Sequence, residues 1–451
     1  MKLVRASRRR QIGSFSKSAL RGWAGAGRRA LHTLPPIALD SILYGVSAVF
    51  ALGVSVQSLP ALSKWGSLAV GPYVAACAIA ATVAGRGSLV TPLTVHAIRW
   101  ILALGLAAGA LFVPLAIEVS YRTTAGAEAY AQPEAAIVEA AGRSLIVERN
   151  PYLPIYGVAG EDGTVVRSPF PYLPAMLVFG LSRGIMGNSV AADSRVAFTV
   201  FTVVIAGLVM ALGSGVDKLR LLQPMLVLPT GAMILVSGGD DVPVLALTLL
   251  ALVLVRRHRP LAGGIIIGLA VCMKQMAWPI LPLLALGARD QHGRRAWATV
   301  LGSALAVAGA VVLPFFAWDP KAIIADVIRF PLGLGPLRTT AASPTLGHLL
   351  GAIVPSARAW VAWVGPVTLL GMLGALCIFR PPPSAARAAA YSAGLLTLAV
   401  ALGAATRFGL LTYGVDLAIW AWALSSADDG LGLPPVQLTR TLATSQAASP
   451  T

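Results

Sequence analysis

Apolar stretches of about 20 residues recur along the chain from residue 37 to residue 424, separated by short polar or basic links. A run of that length is what an α-helix needs to cross a bilayer. The pattern predicts spans at 37–57, 66–84, 97–117, 195–214, 221–238, 241–255, 260–274, 276–288, 296–317, 357–379, 388–405 and 408–424. An all-α polytopic membrane protein with about twelve transmembrane helices follows. The spans 241–255, 260–274 and 276–288 are short for a hydrocarbon core near 30 Å, which points to an indented cavity beside them.

Two polar stretches interrupt the series. Residues 118–170 form a large first loop holding seven of the eighteen acids, and 318–355 form a second segment. Inside the second, PKAIIADVIRF (320–330) sets Ile323, Ile324, Val327 and Phe330 at helical spacing, as an interfacial helix would. Residues 171–187 carry Arg183 and are broken by Pro171, Pro174, Gly180, Gly184 and Gly187. A re-entrant or interfacial path suits them, since irregular backbone is tolerated at membrane depth where protein or a water-filled cavity surrounds it.

Composition supports the membrane reading. The 451 residues are 57% hydrophobic and 12% charged, with a mean hydropathy of +0.77; soluble domains carry about 25% charged residues. The net charge of +17 would suggest nucleic acid in a soluble chain, but here it reads as orientation, because cytoplasmic loops collect Lys and Arg. Residues 1–36 hold nine basic residues and no acid. They form a cytoplasmic arm suited to anionic headgroups, without the apolar core and cleavage site of a signal peptide. With both termini cytoplasmic, 22 of the 35 basic residues and five of the eighteen acids fall inside, which leaves the outer face neutral. The expected division is the arm 1–36, a membrane domain 37–424 with outer regions 118–170 and 318–355, and a polar cytoplasmic tail 425–451. Cys77, Cys272 and Cys377 form no metal or disulfide pattern.

Candidate chemistry concentrates in AQPEAAIVEAAGRSLIVERNPYLPIYG (131–157) and SPFPYLP (168–174). Glu134 and Glu139 are five residues apart, about 140° around a helix, so they do not share a face as a paired acid and base. One carboxylate suffices for inverting glycosyl transfer from an activated donor, where a general base takes the acceptor hydroxyl proton. A phosphate leaving group needs cations more than a second acid. Asp240 and Asp241 sit between two spans, where charge is costly and usually functional or paired. Lys274, in VCMKQMAWP, is placed to grip a phosphate as a point charge, or to pair with Asp240 or Asp241. Gln275 offers hydrogen bonds to sugar hydroxyls and Trp278 a stacking face. Arg407, Arg338 and His348 are further polar groups on the outer side, and Asp193 with Arg195 reads as a local ion pair. No Walker A loop, dinucleotide fingerprint or HExxH occurs, so a nucleotide-sugar site is not indicated. No cofactor is expected, although Asp240, Asp241 and Glu134 could supply oxygen ligands to a divalent metal.

A basic start, an outward span, an acid, a helix ending near Asn150-Pro151-Tyr152, and then Phe170-Pro171-Tyr172-Leu173-Pro174 together resemble the first outer loop of GT-C membrane glycosyltransferases. More narrowly the chain resembles actinobacterial glycosyltransferase family 87. Gly238-Gly239-Asp240-Asp241, the Arg256-to-Pro260 turn and the run from Met273 to Pro279 add to the likeness over roughly residues 97–320. The resemblance implies a GT-C fold in the cytoplasmic membrane with an outward-facing site. The donor would be a polyprenyl-phosphate sugar, most readily mannose, and the acceptor a lipid-anchored glycan. It implies a catalytic acid eighteen residues before Tyr152, at Glu134, or thirteen before it, at Glu139. Lys274, Arg407 and Arg338 are then the expected phosphate-binding cations. Asp240, Asp241, Gln275, Trp278, Tyr152, Tyr172 and His348 are the expected acceptor- or sugar-binding groups. The alternative from another class is a transporter or lipid flippase, which predicts pseudo-symmetric halves and no large outer loop.

Overall fold

A computed structural model describes residues 34–124, 130–160, 164–335, 337, 341–354, 356 and 358–428. The basic arm up to residue 33, the tail from residue 429, Asp162 and Arg338 lie outside the described residues. The described residues are 78% helical. Nine helices among the described residues are long and apolar enough to cross a membrane, and the chain is an all-α, multi-pass membrane protein.

The first three are α1 (Pro36–Ser55), α2 (Pro60–Gly85) and a 33-residue helix, α3 (Pro92–Thr124). Helix α3 outruns its predicted span at both ends and opens into one π-helical turn at Ala107–Phe112. The turn frees a carbonyl at Ala110, and the buried Trp65 of α2 donates its indole N–H to it at 2.8 Å. In this way α2 covers a break that lipid could not satisfy.

The first loop contains α4 (Pro133–Ile146) and a hairpin of β1 (Tyr156–Ala159) and β2 (Val165–Ser168). A 3₁₀ stretch (Pro174–Gly180) and α5 (Leu181–Met186) follow. These thirteen residues rise about 20 Å, too little to cross a core near 30 Å, as the re-entrant or interfacial path requires. Glycine lets this segment meet α4 backbone to backbone. A Cβ on Gly142 would lie 2.3 Å from the Gly180 carbonyl carbon, and one on Gly180 would lie 2.0 Å from the Val138 oxygen.

Helix α6 (Ser194–Leu212) spans next. The predicted span 221–238 is two helices, α7 (Lys218–Leu226) and α8 (Pro229–Ser237), interrupted where Pro224 and Pro229 break the backbone ladder. Tyr73 caps the break, donating its hydroxyl hydrogen to the Val227 carbonyl at 2.5 Å.

Helix α9 (Asp241–Arg256) buries all but its last residue. A helix apolar on every side belongs in the centre of a bundle, and α9 fills that place. Two shorter helices, α10 (Pro260–Val271) and α11 (Ile280–His292), stand where short spans are predicted. Helix α12 (Arg294–Trp318) is as apolar as α9, yet it buries only Ala296, Val300 and Ala304; such a surface suits lipid.

The second polar segment begins with a short helix, α13 (Pro320–Ile324), which runs into a π-helical turn at Ala325–Arg329. Helices α14 (Leu346–Ile353), α15 (Arg358–Phe379), α16 (Ala385–Leu402) and α17 (Leu411–Asp428) complete the chain. Helix α17 continues four residues past the boundary expected at 424.

Candidate active site

Helix α4 is held at its middle by charge. Glu139, 1% exposed, takes both oxygens to Arg122 at 2.9 Å. It also accepts the Ser194 N–H at 3.0 Å and lies 3.4 Å from Arg183. Arg122 reaches Asp193 at 3.0 Å, and Asp193 binds Arg195 at 2.9 Å, the local pair read from the sequence. Burial works to raise the Asp193 carboxyl, but Arg195 and Arg122 outweigh it and hold the group well below the usual carboxylate range. Glu118 faces Arg195 at 3.7 Å. A buried charge is tolerated when paired and hydrogen-bonded, and this network fastens α4 to α3, α5 and α6. Glu139 is thereby tied into this network, with both oxygens engaged by Arg122 and one also by the Ser194 N–H.

Glu134 occupies the first turn of the same helix on a different face. One oxygen meets the Arg407 guanidinium, and Oε2 has no hydrogen-bond partner among the described residues. The Gln132 N–H donates to the Ser237 carbonyl at 2.7 Å, which fixes the start of α4 against the end of α8. There Gly238 turns the chain at φ +102°, the left-handed conformation that ends helices at little cost in glycine, and a Cβ on it would lie 3.0 Å from that of Ala135 in α4. Asp240 and Asp241 follow at the start of α9, where acids complement the helix dipole.

Lys274 closes this group. Its ammonium donates to Asp240 Oδ1 at 2.6 Å and to Asp241 Oδ1 at 2.5 Å, and it lies 5.5 Å from the Tyr172 ring centroid. Of the two roles open to it in the sequence, phosphate cation or partner of the aspartates, the geometry realises the second. Asp240 Oδ2 has no partner among the described residues. Gln275 donates to the Pro171 carbonyl at 3.0 Å and the Val327 carbonyl at 2.6 Å, bridging the first loop and the second polar segment. Its amide hydrogens are therefore engaged with backbone. The N–H groups of Leu173 and Ala175 donate to the carbonyls of Met273 and Cys272 at 3.0 Å, which lays the 170–175 segment along the end of α10.

Tyr152 donates its hydroxyl hydrogen to the Tyr172 carbonyl at 3.0 Å, and Tyr152, Phe170 and Tyr172 pack in sequence, tilted and then edge to face, at 5.4 Å between centroids. All three rings are buried. Trp278 is exposed, its N–H on the Val271 carbonyl. His348 engages the Ala404 carbonyl at 3.1 Å, close in sequence to Arg407. Thus Glu134 joins Arg407, and Asp240, Asp241, Lys274, Gln275 and Tyr172 form a second contiguous set, linked to the first through Gln132 and Gly238. Among the described residues no three His, Cys, Asp or Glu side chains are placed to hold a metal; Asp240 and Asp241 turn to Lys274, and Glu134 turns to Arg407.

Sequence reasoning misses Asp326. It lies in the π-helical turn, 7% exposed. Burial pushes its carboxyl up to about 7, against the lowering effect of a hydrogen bond from the Phe170 N–H. A signal for it does exist: a lone acid beside Val327, on a segment whose apolar residues follow the spacing of an interfacial helix.

The architecture is that of a polytopic membrane enzyme, with an apolar bundle carrying a polar, acid-rich site at the end where the first loop folds back. The chain belongs to glycosyltransferase family 87, whose sequence model matches residues 170–406, and it is a membrane glycosyltransferase. No curated protein and no solved structure matches it. The match starts later and runs further than the likeness over 97–320. It takes in Tyr172, the Asp240–Asp241–Lys274 cluster, Gln275, Trp278, Asp326 and His348, and it stops short of Glu134, Glu139 and Arg407. It also decides against the transporter or flippase alternative.

Proposed function

We propose that the protein transfers a sugar, mannose in our reading, from a polyprenyl-phosphate donor to a lipid-anchored glycan at the outer face of the cytoplasmic membrane. The observation that carries this reading is Glu134. Arg407 holds one of its oxygens while the buried Oε2 has no hydrogen-bond partner among the described residues, on a helix that the Glu139 network makes rigid. In the proposed step, Oε2 takes the proton of the acceptor hydroxyl as that oxygen attacks the anomeric carbon. The bond from the anomeric carbon to the phosphate oxygen breaks, the electron pair leaves with the lipid phosphate, and the anomeric configuration inverts. The proton ends on Glu134. A guanidinium beside the base supplies the positive charge that the departing phosphate needs. Lys274, engaged by two acids, orders Asp240 and Asp241, and the unpartnered Asp240 Oδ2 serves a sugar hydroxyl.

The apolar, lipid-facing bundle favours a lipid-linked donor, because such a substrate reaches the site from within the bilayer. Incubating purified protein with radiolabelled polyprenyl-phosphate-mannose and envelope lipid acceptors tests the reading. Label should move to an acceptor lipid with inversion. Absence of transfer from every polyprenyl-phosphate sugar offered would sink it.

A further inference from the structure

The π-helical turn at Ala325–Arg329 brings a carboxylate against the first loop with half of its hydrogen-bonding capacity unused. Asp326 is 7% exposed. The Phe170 N–H lies beside the carboxylate and favours its charged form, whereas Oδ2 is buried with no hydrogen-bond partner among the described residues. Buried polar atoms are almost always paired, so an orphan calls for a reason, and π-turns inside helices cluster at functional sites.

The neighbours indicate what the reason is. Asp326 precedes Val327, whose carbonyl receives Gln275, and Gln275 follows Lys274, the centre of the Asp240–Asp241 cluster. The Tyr152–Phe170–Tyr172 aromatic series lies on the first-loop side of Asp326. The negative charge of Asp326 acts on the Tyr152 and Tyr156 hydroxyls beside it. Without a cation facing it, a carboxylate repels phosphate. A sugar hydroxyl, in contrast, both donates and accepts, and it suits a carboxyl that spends part of its time protonated near neutral pH.

We propose that Asp326 is a further substrate-contacting residue, its Oδ2 hydrogen-bonding a hydroxyl of the donor's sugar. This rests on the reading of the donor as a polyprenyl-phosphate sugar. Oδ2 is covered in the structure, and the hydroxyl reaches it by a small outward shift of the turn, which is tied across to Phe170 and Gln275.

The test compares two lipids, polyprenyl-phosphate-mannose and sugar-free polyprenyl phosphate, binding to the full chain in lipid nanodiscs. For Asp326→Leu, affinity for the sugar-bearing lipid should fall about tenfold, with affinity for the sugar-free lipid unchanged. Asp326→Asn, which keeps a donor and an acceptor in place, should fall between. An unchanged ratio of the two affinities in the leucine variant overturns the assignment. A second measurement needs no variant. Hydrogen exchange across residues 320–330 of the wild type should slow with the sugar-bearing lipid more than with the sugar-free one, and equal slowing overturns the contact. Wild-type protein that binds neither lipid refutes the donor class instead, a result distinct from both.

Discussion

Arg122 grips Glu139 through two hydrogen bonds of 2.9 Å, seventeen residues apart in sequence and both nearly inaccessible. Removing one member of such a pair leaves the other buried without its counter-charge, at a cost of about 3–5 kcal/mol. Glu139→Ala should therefore lower the thermal unfolding midpoint sharply or prevent accumulation. The double change Arg122→Leu with Glu139→Leu should recover part of the loss, because it removes both members of the closest pair and leaves Asp193 its bond to Arg195. A Glu139→Ala protein with wild-type stability and no transfer activity would move Glu139 from scaffold to chemistry.

Glu134 should behave in the opposite way. Glu134→Gln keeps size and hydrogen bonding but removes the proton acceptor, so transfer should fall by about 10²–10⁴-fold while the folded fraction stays unchanged. Circular dichroism and size-exclusion profiles check the fold, and a radiolabel assay checks the rate. Wild-type activity in this variant would relocate the base.

Lys274 bridges Asp240 and Asp241 at 2.6 and 2.5 Å. Lys274→Met strands two adjacent carboxylates and should destabilise the protein by roughly the same 3–5 kcal/mol. Adding Asp240→Asn should restore part of that, since the substitutions share one network and are not additive. If the aspartate change adds its own full penalty to the lysine change, the triad is not a unit.

Much of the bundle is legible in the sequence because apolar length is a local property. The spans 241–255, 260–274 and 276–288 stand out as short, and they are the buried α9 and its successors α10 and α11. Pairing is less legible. Glu139 and Glu134 are chemically identical in sequence, and what separates their surroundings is contact with Arg122, Arg183 and Ser194 on one side and Arg407, 273 residues later in the chain, on the other. Lys274 has two roles open to it in the sequence because spacing alone does not say whether an aspartate or a phosphate will face it. Asp326 stands on a segment with the spacing of an interfacial helix, but its burial arises where the first loop folds over it, at Phe170, and no local pattern encodes that.

The close passage of α4 over the 3₁₀ stretch at Gly142 and Gly180 leaves no room for a side chain. The obstructing atoms are backbone and cannot rotate away. Gly142→Ala should cost about 1–3 kcal/mol and push aside the helix carrying Glu134, lowering activity along with the melting temperature. A control at Gly207, where an added methyl group would meet nothing within 4 Å, should change neither. Equal effects at the two sites would argue against a tight crossing.

Asp326 predicts a pH dependence of stability whose sign is fixed. Its carboxyl lies near 7 in the folded chain, above its ordinary value of 3.8, so the folded state holds the proton more tightly than the unfolded state does. The group's stabilising contribution is complete below the ordinary value and is lost as pH rises through about 7. Between about pH 4 and about pH 7 the wild-type melting temperature should drop relative to that of Asp326→Asn, which has no proton to lose at this position. The two proteins should be compared in the same detergent by differential scanning fluorimetry. Parallel pH profiles would mean that Asp326 is already charged in the folded chain, with a partner for its second oxygen.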